Sequence, residues 1–97
     1  MYLKKAGGPR GRTFHAQQTR LNEIEVFAPS AGRGAAYEFQ YSLDGGRTWL
    51  ATRQQIMNIA SVTIPGLPSH SMVHLRYRVI VKNVTGDWSQ TIAIMVE

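Results

Sequence analysis

Val73, Leu75, Tyr77, Val79 and Val81 take every second position of one nine-residue run, and His74, Arg76, Arg78 and Ile80 fill the positions between them. Side chains of an extended chain alternate between two faces, so this pattern specifies a long strand with one apolar and one polar face. The period recurs in Tyr37, Phe39 and Tyr41 against Glu38, Gln40 and Ser42, and in Ile24 and Val26 against Glu23 and Glu25. It returns in Ile92, Ile94 and Val96 against Thr91, Ala93 and Met95. From Arg20 onward no segment sustains the apolar stripe of a helix. Parallel strands need crossover segments, usually helical, and the chain offers none, which leaves antiparallel pairing. Six or seven short strands separated by turn signals therefore predict an all-β sandwich.

The pattern places strands at about 21–27, ending at Pro29, then 37–42, then 47–53 with Trp49 as its large apolar residue. Residues 54–60 fit either an irregular strand or a helical turn. Val62 and Ile64 precede the break Pro65-Gly66-Leu67-Pro68, and Asp44-Gly45-Gly46 forms a tight turn because glycines accept positive φ. The expected core is Ile24, Val26, Tyr37, Phe39, Tyr41, Trp49, Leu67, Leu75, Tyr77, Val79 and the last strand.

Ninety-seven residues suffice for one domain, which at this size buries roughly 60–65% of its unfolded surface. Without Cys, neither disulfides nor thiolate zinc sites support that core. The formal charge of +5 suggests nucleic acid until it is located. Lys4, Lys5, Arg10 and Arg12 lie in a Gly/Pro-punctuated start, leaving seven basic residues against six acidic ones in the body. Residues 1–13 are therefore expected to be a flexible basic arm and 14–97 the folded domain. Four charges diluted by glycine fall short of a nucleic-acid tail, and nucleic acid is not the expected partner. There is no apolar run long enough to insert in a membrane and no signal-peptide pattern. The chain as written is expected to be cytoplasmic, or extracellular or virion-borne if it belongs to a longer protein.

Tyr37–Trp49 (YEFQYSLDGGRTW), Ile64–Leu67 (IPGL), Tyr77–Asn83 (YRVIVKN) and Gly86–Ser89 (GDWS) together resemble a fibronectin type III domain, in the order of its strands C, C′, E, F and G. The resemblance covers about Thr19–Glu97. It implies an immunoglobulin-like β-sandwich of about seven antiparallel strands. Three departures mark a divergent member, of the kind common in bacterial and phage proteins. The family's strand-B Trp falls near Val26, two extra residues lie between Leu67 and strand F, and the tyrosine-corner position falls on Leu75, which has no hydroxyl. There is no Arg-Gly-Asp tripeptide.

Inside this stretch, Ser42-Leu43-Asp44-Gly45-Gly46-Arg47-Thr48-Trp49 resembles the Asp-box, S-x-D-x-G-x-T-W, of sialidase propellers and scattered extracellular folds. The resemblance implies a self-contained hairpin. Ser42, Asp44 and Thr48 would hydrogen-bond turn amides, Gly46 would allow the reversal and Trp49 would pack beneath. One copy is a turn and not a glycosidase, since a propeller needs several blades.

Catalytic constellations are not expected. The acids Glu23, Glu25, Glu38, Asp44, Asp87 and Glu97 are scattered, and none forms the pair that glycoside hydrolysis requires. His15, His70 and His74 are read as solvated surface residues. The i,i+4 spacing of His70 and His74 aligns ligands only on a helix, so no metal or other cofactor is expected. No glycine-rich loop opens a helix for phosphate. Asn83-Val84-Thr85 is a glycosylation sequon read as an ordinary turn. Arg76 and Arg78 share a face with His74, and the fibronectin arrangement would place Glu38 and Gln40 beside them. Cross-strand pairing is the plain reading and a ligand-facing basic stripe the sharper one. Ile80, expected to be exposed among them, hints at a covered face. The expectation is a non-catalytic interaction or spacer module whose partner is another protein or a second copy. Its face would comprise His74, Arg76, Arg78, Ile80, Glu38 and Trp88, with loops 30–35 and 83–87 as further contacts. The alternative is a carbohydrate-associated module that stacks sugars on Trp88.

Overall fold

The computed structural model describes residues 13–97; the basic arm read at 1–13 lies, but for Thr13, outside them. Among the described residues there are eight strands and no helix. They are β1 (His15–Arg20), β2 (Glu23–Phe27), β3 (Ala36–Ser42), β4 (Leu50–Met57), β5 (Ser61–Ile64), β6 (Ser71–Val81), β7 (Val84–Thr85) and β8 (Ile92–Val96). All pairings are antiparallel. One sheet has the order β1-β2-β5, and the other runs β4-β3-β6 with β7 and β8 sharing the far edge of β6.

The inward face of each sheet follows from the alternation. Ile24, Val26, Val62 and Ile64 of the small sheet, with Tyr37, Phe39, Val73, Leu75 and Val96 of the large one and Leu67 from a loop, form the buried core. Each such side chain contributes about 1.5–3 kcal/mol when fully buried. Tyr41, Tyr77, Val79, Ile92 and Ile94 pack around them half-buried. Trp49 is a correction. It precedes β4, at the end of the long turn from β3, and lies on the outer face of the large sheet instead of in the core.

Three other boundaries move. Leu21 and Asn22 form the β1–β2 turn and not the start of a strand. The strand β1, which the alternation did not mark, pairs His15 with Phe27 and Gln18 with Ile24. The return partner of β3, expected at 47–53, instead begins at Leu50 and runs through the ambiguous stretch to Met57, with a bulge opposite Glu38–Gln40.

Side chains close the gaps between sheets and loops. Gln18 of β1 reaches the last residue across the sandwich, donating from Nε2 to the Glu97 carbonyl at 3.3 Å and accepting from its amide at 2.9 Å. Asn22, at φ 61°, donates to the Leu67 carbonyl at 2.7 Å and to Ser69 Oγ at 2.8 Å, while its own carbonyl accepts from Leu67 N at 2.9 Å. Leu75 is fully buried, and it is the Tyr37 hydroxyl that ties down a loop, accepting from Ala31 N at 2.7 Å.

The far edge of β6 is the most irregular part. Lys82 and Asn83, at φ 50° and 66°, make the two-residue reversal into β7, the pair of positive angles a type I′ turn requires. The edge then leaves regular pairing until β8. Ser89 bridges the gap, donating its amide to the Tyr77 carbonyl at 2.8 Å and accepting the Tyr77 amide on its side-chain oxygen at 3.0 Å. Both backbone groups of Tyr77 are thus satisfied while the chain bulges outward. That bulge carries Trp88 over the outer face.

Candidate interaction face

The register of β3 on β6 places Glu38 opposite Arg78 and Gln40 opposite Arg76, all on the outer face. Arg78 donates from Nε to Glu38 Oε1 at 2.7 Å. Arg76 donates from Nε and Nη2 to the single oxygen Gln40 Oε1, at 3.0 and 2.7 Å. These contacts hold the two guanidinium groups upright, side by side.

Tryptophans from either side then interleave with them. Arg76 lies over the Trp49 ring at 4.2 Å from its centroid and over the Trp88 ring at 4.1 Å, and Arg78 lies over Trp88 at 4.2 Å. Side chains two apart on a strand are separated by about 6.6 Å, room for one ring between two planes. The order is therefore Trp49, Arg76, Trp88, Arg78, with Trp88 sandwiched between two cations. Each cation–π contact adds about 0.5–1 kcal/mol when exposed and about 2 when desolvated. The indole also separates two like charges with the electron-rich faces of its ring. Burial holds the Arg76 guanidinium below its ordinary pKa, the charge of Arg78 adds to this, and Glu38 opposes it.

Trp49 reaches its place from the turn after β3. Ser42, fully buried, donates to Asp44 Oδ1 at 2.7 Å and accepts from Gly46 N at 2.9 Å. Asp44 Oδ1 also accepts from Arg47 N at 3.1 Å and Thr48 N at 2.8 Å. Gly45 and Gly46, at φ 78° and 94°, turn the chain back. These bonds lower the Asp44 carboxyl from its ordinary 3.8 to about 2, the Thr48 amide contributing most and the Ser42 hydroxyl next. A Cβ on Gly46 would meet Trp49 Cζ2 at 3.5 Å, so the ring lies against the turn that delivers it.

Of the remaining residues singled out from the sequence, His74, Ile80 and Trp88 depart from expectation, and His70 does not. His74 is not a solvated side chain. It sits opposite Ser42 and Ala93 in the register of the sheet, and its Nδ1 is buried with no hydrogen-bond partner. Ile80 is half-buried and not exposed, being flanked by Ala36 and Thr85. Trp88 is half-buried too, and the ring faces a sugar would stack on carry Arg76 and Arg78. His70 is exposed in a turn at φ 59°. Sequence reasoning missed the joining of the two tryptophans by Arg76. The signal available was an Arg-x-Arg on a polar strand face with a Trp at each flanking turn.

Among the described residues no group of three or more His, Cys, Asp or Glu side chains is placed to hold a metal ion, and no helix is long and apolar enough to cross a membrane. No protein-family model matches the chain, and none of the curated proteins matches it significantly.

Proposed function

We propose that this chain is a non-catalytic protein interaction or spacer module of the fibronectin type III kind, and that the outer face of its large sheet is the contact surface. The observation that carries the reading is the Trp49–Arg76–Trp88–Arg78 stack. It fixes four large side chains on one sheet face, and aromatic and Arg side chains are the residues that most often dominate protein interfaces. Stacking uses the faces of each guanidinium and leaves edge N–H donors for a partner. The order β1-β2-β5 over β4-β3-β6, with β7 and β8 beyond, supports the family reading, being a three-stranded and a larger antiparallel sheet face to face.

Sugar stacking is the weaker reading, because it needs an aromatic ring with an open face. A photo-crosslinking amino acid at Ile56, which is exposed beside Glu38 on the same face, tests the proposal in cells that express the chain. Adducts that form with the wild-type face and disappear with Arg78→Ala are expected. Absence of any protein adduct would overturn it.

A further inference from the structure

The two outer faces of the sandwich carry opposite charge in matching spacing. On β6, Arg76, Arg78 and Ile80 project at alternate positions from the large sheet. On β2, Ile24 and Val26 point into the core, so Glu23, Glu25 and Phe27 project at alternate positions from the small sheet. One row reads base, base, aliphatic; the other reads acid, acid, aromatic. Both have the pitch of about 6.6 Å that alternate strand residues impose. Two such rows laid parallel set each cation against an anion and bring the aliphatic side chain beside a ring that is already stacked on His15, centroids 5.0 Å apart.

Each row is only half neutralised within its own face, Arg78 by Glu38 and Glu23 by Arg20. Arg76 and Arg78 face one carboxylate, Glu38, because Gln40 takes the position where a second acid would balance Arg76. Of the five N–H donors on each guanidinium, Arg76 directs two to Gln40 and Arg78 one to Glu38, and the tryptophans cover only their faces. The remaining edge donors are available to carboxylates above the sheet. Opposite them in sign, Glu23 is bound by Thr19 at 3.2 Å and by the exposed Arg20 at 3.4 Å, but Glu25 has no hydrogen bond or ion pair among the described residues. Its β5 neighbour is Thr63, uncharged.

We propose that the chain stacks on a second copy of itself, the Arg76–Arg78–Ile80 row of one copy docking on the Glu23–Glu25–Phe27 row of the next. This deepens the interaction reading above and rests on it. Sheets pack face to face at about 10 Å, a gap that Arg and Glu side chains span. The two surfaces are different patches of the molecule, so the contact is heterologous and each docked copy leaves both kinds of face open at the ends of the stack. Charge complementarity of this kind sets register and partner choice more than affinity, and exposed ion pairs are individually weak. The association is therefore weak, sensitive to salt and open-ended.

Sedimentation of the full chain over a range of concentrations tests this at ~0.05 M and ~0.5 M salt, conditions that span weak to strong screening. At low salt the average mass is expected to rise with concentration without levelling at a dimer. At high salt it is expected to return to the monomer. Glu25→Lys and Arg78→Gln should each weaken association at least about tenfold, the loss of ~1.4 kcal/mol. Mixed together they should form a one-to-one dimer and nothing larger, since each keeps the one face the other lacks. Glu25→Gln serves in place of Glu25→Lys if circular dichroism shows the latter unfolded. A wild-type chain monomeric at millimolar concentration and low salt, association indifferent to salt or to Glu25, or folded variants that fail to pair would each overturn the stacking. Such a failure leaves the interaction module standing, because the cross-link at Ile56 reports any protein partner.

Discussion

Oδ1 of Asp44 accepts three hydrogen bonds at once, from Ser42 Oγ, Arg47 N and Thr48 N, and this one atom shapes the turn that brings Trp49 onto the sheet. Because those donors favour the carboxylate, the folded group titrates near 2 and the unfolded one near 3.8. The sign follows from linkage: the unfolded chain binds the proton more readily, so this stabilisation is complete above about pH 4 and is lost as pH falls through 2. Asp44→Asn is expected to be less stable at neutral pH and to lack that part of the acid-induced decline. Urea unfolding at a series of pH values between about 2 and 5 measures both. A variant whose acid limb matches the wild type would show that the turn does not depend on the charge. Ser42 acts in the same turn from beneath, fully buried, satisfying the Gly46 amide that no strand partner reaches.

Among the elements, β1 shows how one strand can be held by another's needs. Its sequence, HAQQTR, has one aliphatic residue and no alternation of its own, and it folds because β2 presents an unpaired edge and Gln18 fastens it to the C-terminus. Gln18→Ala is expected to cost about 1 kcal/mol, the net worth of a typical intramolecular hydrogen bond. Hydrogen exchange should then accelerate at the Glu97 amide while that of β3 and β6 is unchanged. This also explains which elements could be read from the sequence. The strands β3, β6 and β8 announce themselves through the period of two, and their inward residues Phe39, Leu75 and Val96 are buried. In β1 burial is imposed by neighbours, and in β4 a bulge breaks the alternation, so neither carries a readable period. The stack of tryptophan and arginine was half legible. Parity put Glu38 and Gln40 on the polar side of one strand and Arg76 and Arg78 on that of another, and the resemblance to fibronectin type III domains set those strands side by side, but Trp49 and Trp88 lie outside any strand, where parity has no meaning and the path of a turn decides.

At the scale of the whole molecule, one core is shared by two unequal sheets, and Leu75 lies at its centre, paired on either side with Tyr41 and Ile92. Leu75→Ala removes apolar contacts from a site lined by both sheets and is expected to cost about 2–5 kcal/mol. For a domain of this size that is a large share of the total stability of roughly 5–15 kcal/mol. Equilibrium denaturation should show the midpoint falling with an unchanged slope, and a change under about 1 kcal/mol would mean the core repacks. The sandwich also has a direction. Residue 13 leads into β1 beside the β2 terminus at Phe27, and Glu97 leaves β8 beside Ser71, at the opposite end of the sheets. Both Gln18 bonds to Glu97 tie these first and last strands together. A mechanical pull between residues 13 and 97 would therefore slide β1 and β8 past each other lengthwise. Under such a load the Gln18 clasp and the β1–β2 ladder would bear the force together, in shear, instead of unzipping one bond at a time.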